Sequence, residues 1–257
     1  MTTKNPASAL GEALGKLIED ELERIISPIC KARGYVYDRG GSRPDKRKGI
    51  KLTMVNRSGN KYQLDAIIET PGGAPVVLVE SKYLRYKKHN RDKASWTCAS
   101  HYSLRKSHPT IRKSTAVLSG NWSVPAKEFM QSFGIEFYEI PFAHTCAVLR
   151  THGVEFDWPE KDSLTPLESW KSFQLLSPET KEAVGRELLE PIRDRLAMGV
   201  ETTLSLGEDI AKNLQEVEIL LKTNRNEYFT YSFASAGDAI SFLAKLQVDA
   251  PDLRGKL

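Results

Sequence analysis

The chain of 257 residues has few cysteines, and they form no pattern that builds a site. Cys30, Cys98 and Cys146 are odd in number, widely spaced and in no Cys-x-x-Cys pair. They therefore argue against both a disulfide framework and a structural zinc site. The sequence also lacks an apolar run of membrane-spanning length and a sustained apolar segment near its start. We therefore expect a soluble, cytoplasmic protein that has no membrane partner.

Several catalytic patterns are missing as well. The five histidines show neither the His-Glu-x-x-His nor the zinc-finger spacing, which argues against zinc catalysis. His89-Asn90 has no second histidine suitably placed for a His-Asn-His nuclease. The glycines form no G-x-x-x-x-G-K-S/T pattern, so NTP hydrolysis is not supported.

Positive charge is present in modest excess but is unevenly distributed. The formal net charge is +4, yet ten Lys or Arg and a single acid lie between Lys82 and Lys113. Residues 151–220 hold fifteen Asp or Glu against seven Lys or Arg. A basic zone on an otherwise ordinary surface favours a polyanionic partner.

Two strand-like segments between Tyr62 and Lys82 carry the most informative charges. Residues 62–69 (YQLDAIIE) alternate, which predicts one strand with Tyr62, Leu64, Ala66 and Ile68 on one face and Gln63, Asp65 and Ile67 on the other. After a Pro-Gly-Gly turn, residues 76–82 (VVLVESK) predict a strand that is buried on both faces. Glu80 and Lys82 share a face because side chains repeat every two residues. Charges in such a place need a partner or a metal ion.

The remaining elements predict an α/β protein with a mixed β-sheet flanked by helices. Residues 8–29 form an amphipathic helix with Ser8 as N-cap, and Glu19 and Glu21 flank its apolar stripe on opposite sides, so that either could face a site. We further expect strands at 35–37, 50–55, 114–119 and 135–140, helices at 91–106, 124–132, 164–176, 178–198 and 238–246, and a hairpin of 217–222 with 227–233. The predicted organisation is an α/β domain over residues 1–150 and a mainly helical C-terminal region, residues 151–257, with a small hairpin for dimerisation or DNA recognition.

This succession resembles the PD-(D/E)xK nuclease superfamily, which has the restriction-endonuclease-like fold. The resemblance covers residues 10–142 and depends on Asp65 and on the run from Glu80 to Lys82. The segment GKLIEDEL is similar to the first helix of archaeal Holliday-junction resolvases, whose glutamate maps onto Glu19. Two positions depart from the family pattern. Leu64 replaces its proline, and Cys98 stands four residues before Tyr102 where exonuclease-type members often have glutamine.

The resemblance implies a metal-dependent active site. Asp65 and Glu80 are expected to bind one Mg2+, which Mn2+ can replace, with the backbone carbonyl of Ser81 as a further ligand. Lys82 is expected to orient or deprotonate a water molecule and to offset charge in the transition state. Glu19 is expected to add a further contact to the site. Alanine at Asp65, Glu80 or Lys82 should abolish cleavage and leave the fold intact.

Double-stranded DNA is the expected substrate, and two basic segments are the candidate contact surfaces. The first is a loop rich in Gly, Arg and Lys after the strand that begins at 35–37, with Arg39, Arg43, Lys46, Arg47 and Lys48. The second follows Lys82 directly, beside the expected metal, with Arg85, Lys87, Lys88 and Arg91. We expect a Mg2+-dependent endodeoxyribonuclease, as in type II restriction endonucleases, that forms a homodimer in order to cut both strands. The alternatives are a Holliday-junction or repair nuclease and a non-catalytic DNA-binding subunit that retains the nuclease fold.

Overall fold

The computed structural model describes residues 5–41, 51–85, 89–206 and 213–246. The helices are α1 (Pro6–Ala32), α2 (Asn90–Ser107), α3 (Val124–Ser132), α4 (Phe142–Thr151), α5 (Leu164–Leu175), α6 (Pro178–Leu189), α7 (Arg193–Ser205) and α8 (Ala236–Lys245). The strands are β1 (Val36–Arg39), β2 (Leu52–Val55), β3 (Lys61–Leu64), β4 (Ala66–Glu69), β5 (Pro75–Leu84), β6 (Lys113–Gly120), β7 (Ile135–Pro141), β8 (Val217–Lys222) and β9 (Tyr228–Phe233). The chain divides into two compact units, Met1–Leu206 and Gly207–Leu257.

The first unit is built on a five-stranded mixed sheet in the order β1-β4-β5-β6-β7. The strands β1, β4 and β5 pair antiparallel, whereas β5, β6 and β7 pair parallel through the crossover helices α2 and α3. Helices cover the sheet on both faces. The prediction of a mixed α/β sheet flanked by helices is therefore confirmed.

The central strand β5 is buried on both faces, and this determines where its charged residues point. Val77 and Val79 pack in the core that includes α1, whereas Leu78 packs with Leu104 of α2. Because side chains alternate along a strand, Glu80 and the later even-numbered positions lie on the face covered by α2. The apolar run of β5 therefore places Glu80 between the sheet and α2.

The predicted single strand at residues 62–69 is wrong, because it is interrupted at Asp65. The chain forms β3 in a separate two-stranded sheet with β2, and then enters the main sheet as β4. The predicted alternation also fails across this break. Leu64 packs in the same cluster as Ile67, on the α2 side, whereas Ala66 packs in the core that includes α1. Side-chain orientation need not continue to alternate where a chain passes from one sheet to another. The alternation of apolar and polar residues in the sequence does not show where such a passage occurs.

Helix α1 packs between the sheet and the helices α5, α6 and α7. It begins earlier than predicted. Asn5, rather than Ser8, is the N-cap, since its side-chain oxygen accepts a 3.0 Å hydrogen bond from the backbone N–H of Ala7. Pro6 follows as the first helical residue, where a missing N–H costs nothing. The apolar stripe that includes Leu14, Ile18 and Leu22 is fully buried, as its spacing predicts.

The helices after β7 differ from expectation in two places. The sequence did not indicate α4, which follows directly from the end of β7. The predicted helix at 178–198 is two helices, α6 and α7, separated at residues 190–192. Pro191 lies in this gap, where it supplies no N–H for a continuous helix. Buried side chains of both helices, including Val184, Leu188 and Leu196, belong to the same core as α1.

The second unit contains the small antiparallel pair β8 and β9 followed by α8, as the sequence predicts. Tyr231 and Phe233 of β9 lie 4.5 and 5.1 Å from Phe242 of α8, measured between ring centroids. Among the residues that the structure describes, no helix is long and apolar enough to cross a membrane.

Candidate active site

The pairing of β4 with β5 brings the two predicted carboxylates to the same level of the sheet. Ala66 pairs with Val79, so Asp65 and Glu80 are the next residues along the two antiparallel strands. The backbone N–H of Ser81 donates a 2.8 Å hydrogen bond to Oδ2 of Asp65. The Asp65 side chain is therefore held against β5 by the backbone of the neighbouring strand.

Lys82 joins both carboxylates. Its Nζ lies 2.7 Å from Oδ2 of Asp65 and 2.5 Å from Oε2 of Glu80. The side chain of Glu80 is 2% exposed, whereas those of Asp65 and Lys82 are 28% and 22% exposed. The cluster is closed at Glu80 and open to solvent at Asp65, which gives it the access that a substrate requires.

Burial and neighbouring charges change the pKa values of Asp65 and Lys82. Burial, followed by the hydrogen bond and the charge of Glu80, raises the pKa of Asp65 to about 6. Burial lowers the pKa of Lys82, but the charges and hydrogen bonds of Glu80 and Asp65 outweigh it and hold that pKa above its ordinary value. Lys82 is accordingly an ammonium ion at neutral pH, and Asp65 is an acid that further positive charge would keep ionised.

Of the two α1 glutamates left open by the sequence, Glu19 has a pKa that responds to the charges of this cluster. Burial raises the pKa of Glu19, the charge of Asp65 raises it further, and the charges of Arg39 and Lys82 oppose this. Glu21 lies elsewhere: it is 2% exposed and accepts a hydrogen bond from Arg193 of α7. The two acids therefore serve different neighbours.

Helix α2 contributes a residue to the site that the sequence analysis did not select. His101 is 1% exposed, and its Nε2 lies 3.8 Å from Oε1 of Glu80. Burial and the charge of Lys82 lower the pKa of His101 to about 3, against a raising effect of Asp65. The imidazole is therefore neutral beside a buried carboxylate.

A sequence signal for His101 exists in the spacing of α2. Ala94, Cys98, His101 and Leu104 are all buried and recur at intervals of three or four residues. A histidine on the buried face of the helix that follows the strand with Glu-x-Lys marks a polar group turned toward that strand. Tyr102, in contrast, is 50% exposed and packs edge-on against Phe133.

Two of the predicted DNA-contacting arginines are engaged within the protein. Arg39 lies 2.7 Å from Asp20 and 2.8 Å from Glu23 of α1. Arg85 donates hydrogen bonds to the backbone carbonyls of residues 156 and 158, and its guanidinium carbon lies 3.8 Å from the centroid of the Trp158 ring. These contacts tie each arginine to a neighbouring segment of its own chain.

The other predicted DNA contacts divide by location. Arg91 is exposed in the first turn of α2. Six lie outside the described residues: Arg43, Lys46, Arg47, Lys48, Lys87 and Lys88. The structure thus places one of the nine predicted side chains, Arg91, on an open surface.

The donor set at the site fits a hard divalent cation. Asp65 and Glu80 converge on one ammonium group, so two carboxylates share a single positively charged partner at this point. No preformed cluster of three or more His, Cys, Asp or Glu side chains is found in the described ranges. Magnesium requires no such cage, because it retains several water ligands and uses one or two carboxylates.

Comparisons with known proteins assign no family to the chain. No family model matches it, and no curated protein matches it. A crystal structure of AF1548, a protein of unknown function, aligns with 76% of this chain and 97% of its own chain at 12% identity and a TM-score of 0.33. A similarity this weak carries no argument about fold or function.

Proposed function

We propose that this protein is a Mg2+-dependent endodeoxyribonuclease that hydrolyses phosphodiester bonds in double-stranded DNA. The observation that carries the proposal is the convergence of Asp65 and Glu80, from two adjacent strands, on the ammonium group of Lys82. Two carboxylates and one lysine are the groups that the resemblance to PD-(D/E)xK nucleases assigns to catalysis. The proposed biological role is that of a type II restriction endonuclease.

The two carboxylates have the task of holding the cation. Asp65 and Glu80 would supply oxygen ligands. The Ser81 carbonyl would be available beside them, because the N–H and C=O of one residue face the same neighbour in an antiparallel ladder. A bound Mg2+ would supply Lewis acidity toward a phosphate oxygen and a bound water.

Lys82 is best suited to stabilising negative charge. Its raised pKa keeps the side chain protonated at neutral pH, so it is poorly suited to removing a proton from water. An ammonium ion at the carboxylates is well placed to attract the scissile phosphate and to offset the charge that develops on it. Of the two roles expected from the sequence, charge stabilisation is therefore favoured over general base.

Glu19 supports a second candidate within the same reaction class. Because the charge of Asp65 acts on Glu19, a third carboxylate borders the cluster, as the similarity to Holliday-junction resolvases implies. A junction or repair nuclease is therefore the alternative. Cleavage of both strands by either enzyme requires two active sites, which a homodimer would provide.

The experiment that tests the proposal is cleavage of supercoiled plasmid and of a four-way junction with Mg2+ or with EDTA. Asp65→Asn, Glu80→Gln and Lys82→Met should each lower the rate at least about a hundredfold, since each removes a group acting on the reacting phosphate. Discrete fragments would favour the restriction role, whereas preference for the junction would favour the alternative.

The chain offers a matched control for these variants. Lys127 and Glu139 also form a 2.7 Å ion pair, and their exposures of 18% and 30% resemble those of Lys82 and Asp65. Lys127→Met and Glu139→Gln should therefore cleave at the wild-type rate. DNA binding without cleavage in any metal would instead identify a non-catalytic subunit, and undiminished cleavage by Lys82→Met would refute the assigned mechanism.

A further inference from the structure

The two oxygens of Glu80 face two different groups. Oε2 lies 2.5 Å from Nζ of Lys82, and Oε1 lies 3.8 Å from Nε2 of His101. Lys82 belongs to the same strand as Glu80, whereas His101 belongs to α2, which covers that face of the sheet. Glu80 is therefore flanked by one charged donor and by one neutral ring.

His101 carries hydrogen-bonding capacity that the protein does not use. Within the residues that the structure describes, neither of its ring nitrogens has a hydrogen-bond partner, although the residue is 1% exposed. The hydroxyl of Thr97, one turn earlier on the same buried face of α2, is also without a partner there. A buried polar group without a partner is costly, so native structures retain such groups where they serve a purpose.

A neutral imidazole has one N–H donor and one acceptor nitrogen, and the carboxylate of Glu80 can accept. The distance of 3.8 Å exceeds that of an ordinary hydrogen bond by about 0.6–1.1 Å. Rotation of the carboxylate about its last bond, together with a shift of the imidazole, would close such a gap. That rotation also changes the direction in which the other oxygen, Oε2, points.

We propose that His101 is a positioning residue that donates its Nε2–H to Oε1 of Glu80 and thereby presents Oε2 to a divalent cation. This inference rests on the proposed function, in that it takes Glu80 as a ligand of the metal. The ring acts through the carboxylate and is not itself a ligand. The arrangement sets the orientation of Glu80 from a second element, α2, which the strand alone cannot do.

The test measures Mn2+ binding to the DNA-free protein, followed through the electron paramagnetic resonance signal of the free ion. Three substitutions separate a hydrogen bond from packing. His101→Gln retains an N–H donor near the position of Nε2, His101→Asn retains one only near Nδ1, and His101→Leu retains none. Loss of a hydrogen bond to a metal-binding group weakens metal affinity about 10–100-fold.

We expect the dissociation constant for Mn2+ to rise by about 10–100-fold in His101→Leu and His101→Asn, and to remain within about threefold of wild type in His101→Gln. Thermal unfolding in EDTA should show His101→Leu to be at least as stable as wild type, because Nε2 at 3.8 Å from Oε1 makes no hydrogen bond until the carboxylate turns toward it to present Oε2 to the cation. A merely structural histidine would give the opposite pattern, lowered stability with unchanged Mn2+ affinity. That result, or equal weakening in the Gln and Leu variants, would overturn the proposal.

The binding measurement also separates this inference from the proposed nuclease function. If wild type binds Mn2+, Asp65→Asn abolishes binding and His101→Leu leaves it unchanged, the role of His101 is refuted while the metal site stands. If binding depends on His101 but no DNA is cleaved, the nuclease proposal fails and the role of His101 stands. A wild-type protein that binds no Mn2+ contradicts both.

Discussion

The backbone N–H of Ser81 donates a 2.8 Å hydrogen bond to Oδ2 of Asp65, the same oxygen that accepts from Lys82. Two donors of different kinds, one fixed in a strand and one on a flexible side chain, thus act on a single atom. The strand donor remains when the lysine is removed. The position of Asp65 should therefore survive changes at Lys82, which makes the charge of Lys82 testable by itself.

Replacing Lys82 with methionine should make the fold depend on divalent ions. The variant leaves the 2% exposed Glu80 and the partly exposed Asp65 without their ammonium partner, which we expect to cost about 1–3 kcal/mol at neutral pH. Thermal unfolding should show Mg2+ restoring more stability to Lys82→Met than to wild type, since the ion replaces the missing charge. Lys127→Met is the control, and Mg2+ should not restore its stability. Equal responses of the two variants would contradict the prediction.

The raised pKa of Asp65 should appear as a pH dependence of stability. Because the folded-state pKa is about 6 against an ordinary value of 3.8, the native protein holds a proton that the unfolded chain has released. Asp65 therefore lowers the free energy of unfolding as pH rises from about 4 to 6. In Asp65→Asn this loss is absent, so the stability of the variant relative to wild type should increase by about 1–3 kcal/mol across that window. Urea unfolding in EDTA at several pH values measures it, and a constant difference would refute it.

The two α1 glutamates should separate activity from stability. Glu19→Gln is expected to lower cleavage with little effect on unfolding, because Glu19 borders the cluster. Glu21→Gln is expected to cost about 1–3 kcal/mol of stability, because the buried Glu21 pairs with Arg193. Its cleavage rate per folded molecule should remain that of wild type. Cleavage assays beside urea unfolding give both values, and exchanged phenotypes would show that the other acid faces the site.

Arg85 and Arg91 should differ in their effect on DNA binding. Arg85→Lys loses the planar contact with Trp158 and at least one of two backbone hydrogen bonds, which should cost about 1–3 kcal/mol of stability. The salt dependence of its DNA affinity should be unchanged. Arg91→Gln should leave stability unchanged and reduce the slope of log K against log salt by about one. Binding titrations at several salt concentrations check both, and the reverse pattern would place Arg85 at the DNA.

The sequence predicts a strand of the sheet well where one hydrophobic pattern runs along the whole strand, as in β5. The apolar run of β5 and its period of two place Glu80 and Lys82 on the same face, and the structure brings both to Asp65. The break at Asp65 could not be predicted, because the apolar and polar residues of the sequence alternate across it without interruption although β3 and β4 pair with different strands. Pairing partners are a property of the tertiary structure.

The roles of single side chains on helices were harder to predict. Periodicity shows that Glu19 and Glu21 border the stripe of α1, but what covers each border depends on helices more than 150 residues later, where Arg193 lies. His101 was missed for a related reason. A helical pattern identifies the buried face of α2 and gives no information about which group of the sheet meets it.

Asp65 is also the residue at which the chain passes from the two-stranded sheet into the main sheet. The hairpin of β2 and β3 contacts α2, because Asn56 between the two strands donates a 2.7 Å hydrogen bond to Oγ of Ser103 in α2. Glu80, in contrast, belongs to the central strand of the main sheet. A displacement of the hairpin would therefore move the backbone of Asp65, whereas Glu80 lies within the five-stranded sheet. The spacing of the two proposed metal ligands would then depend on the position of the hairpin.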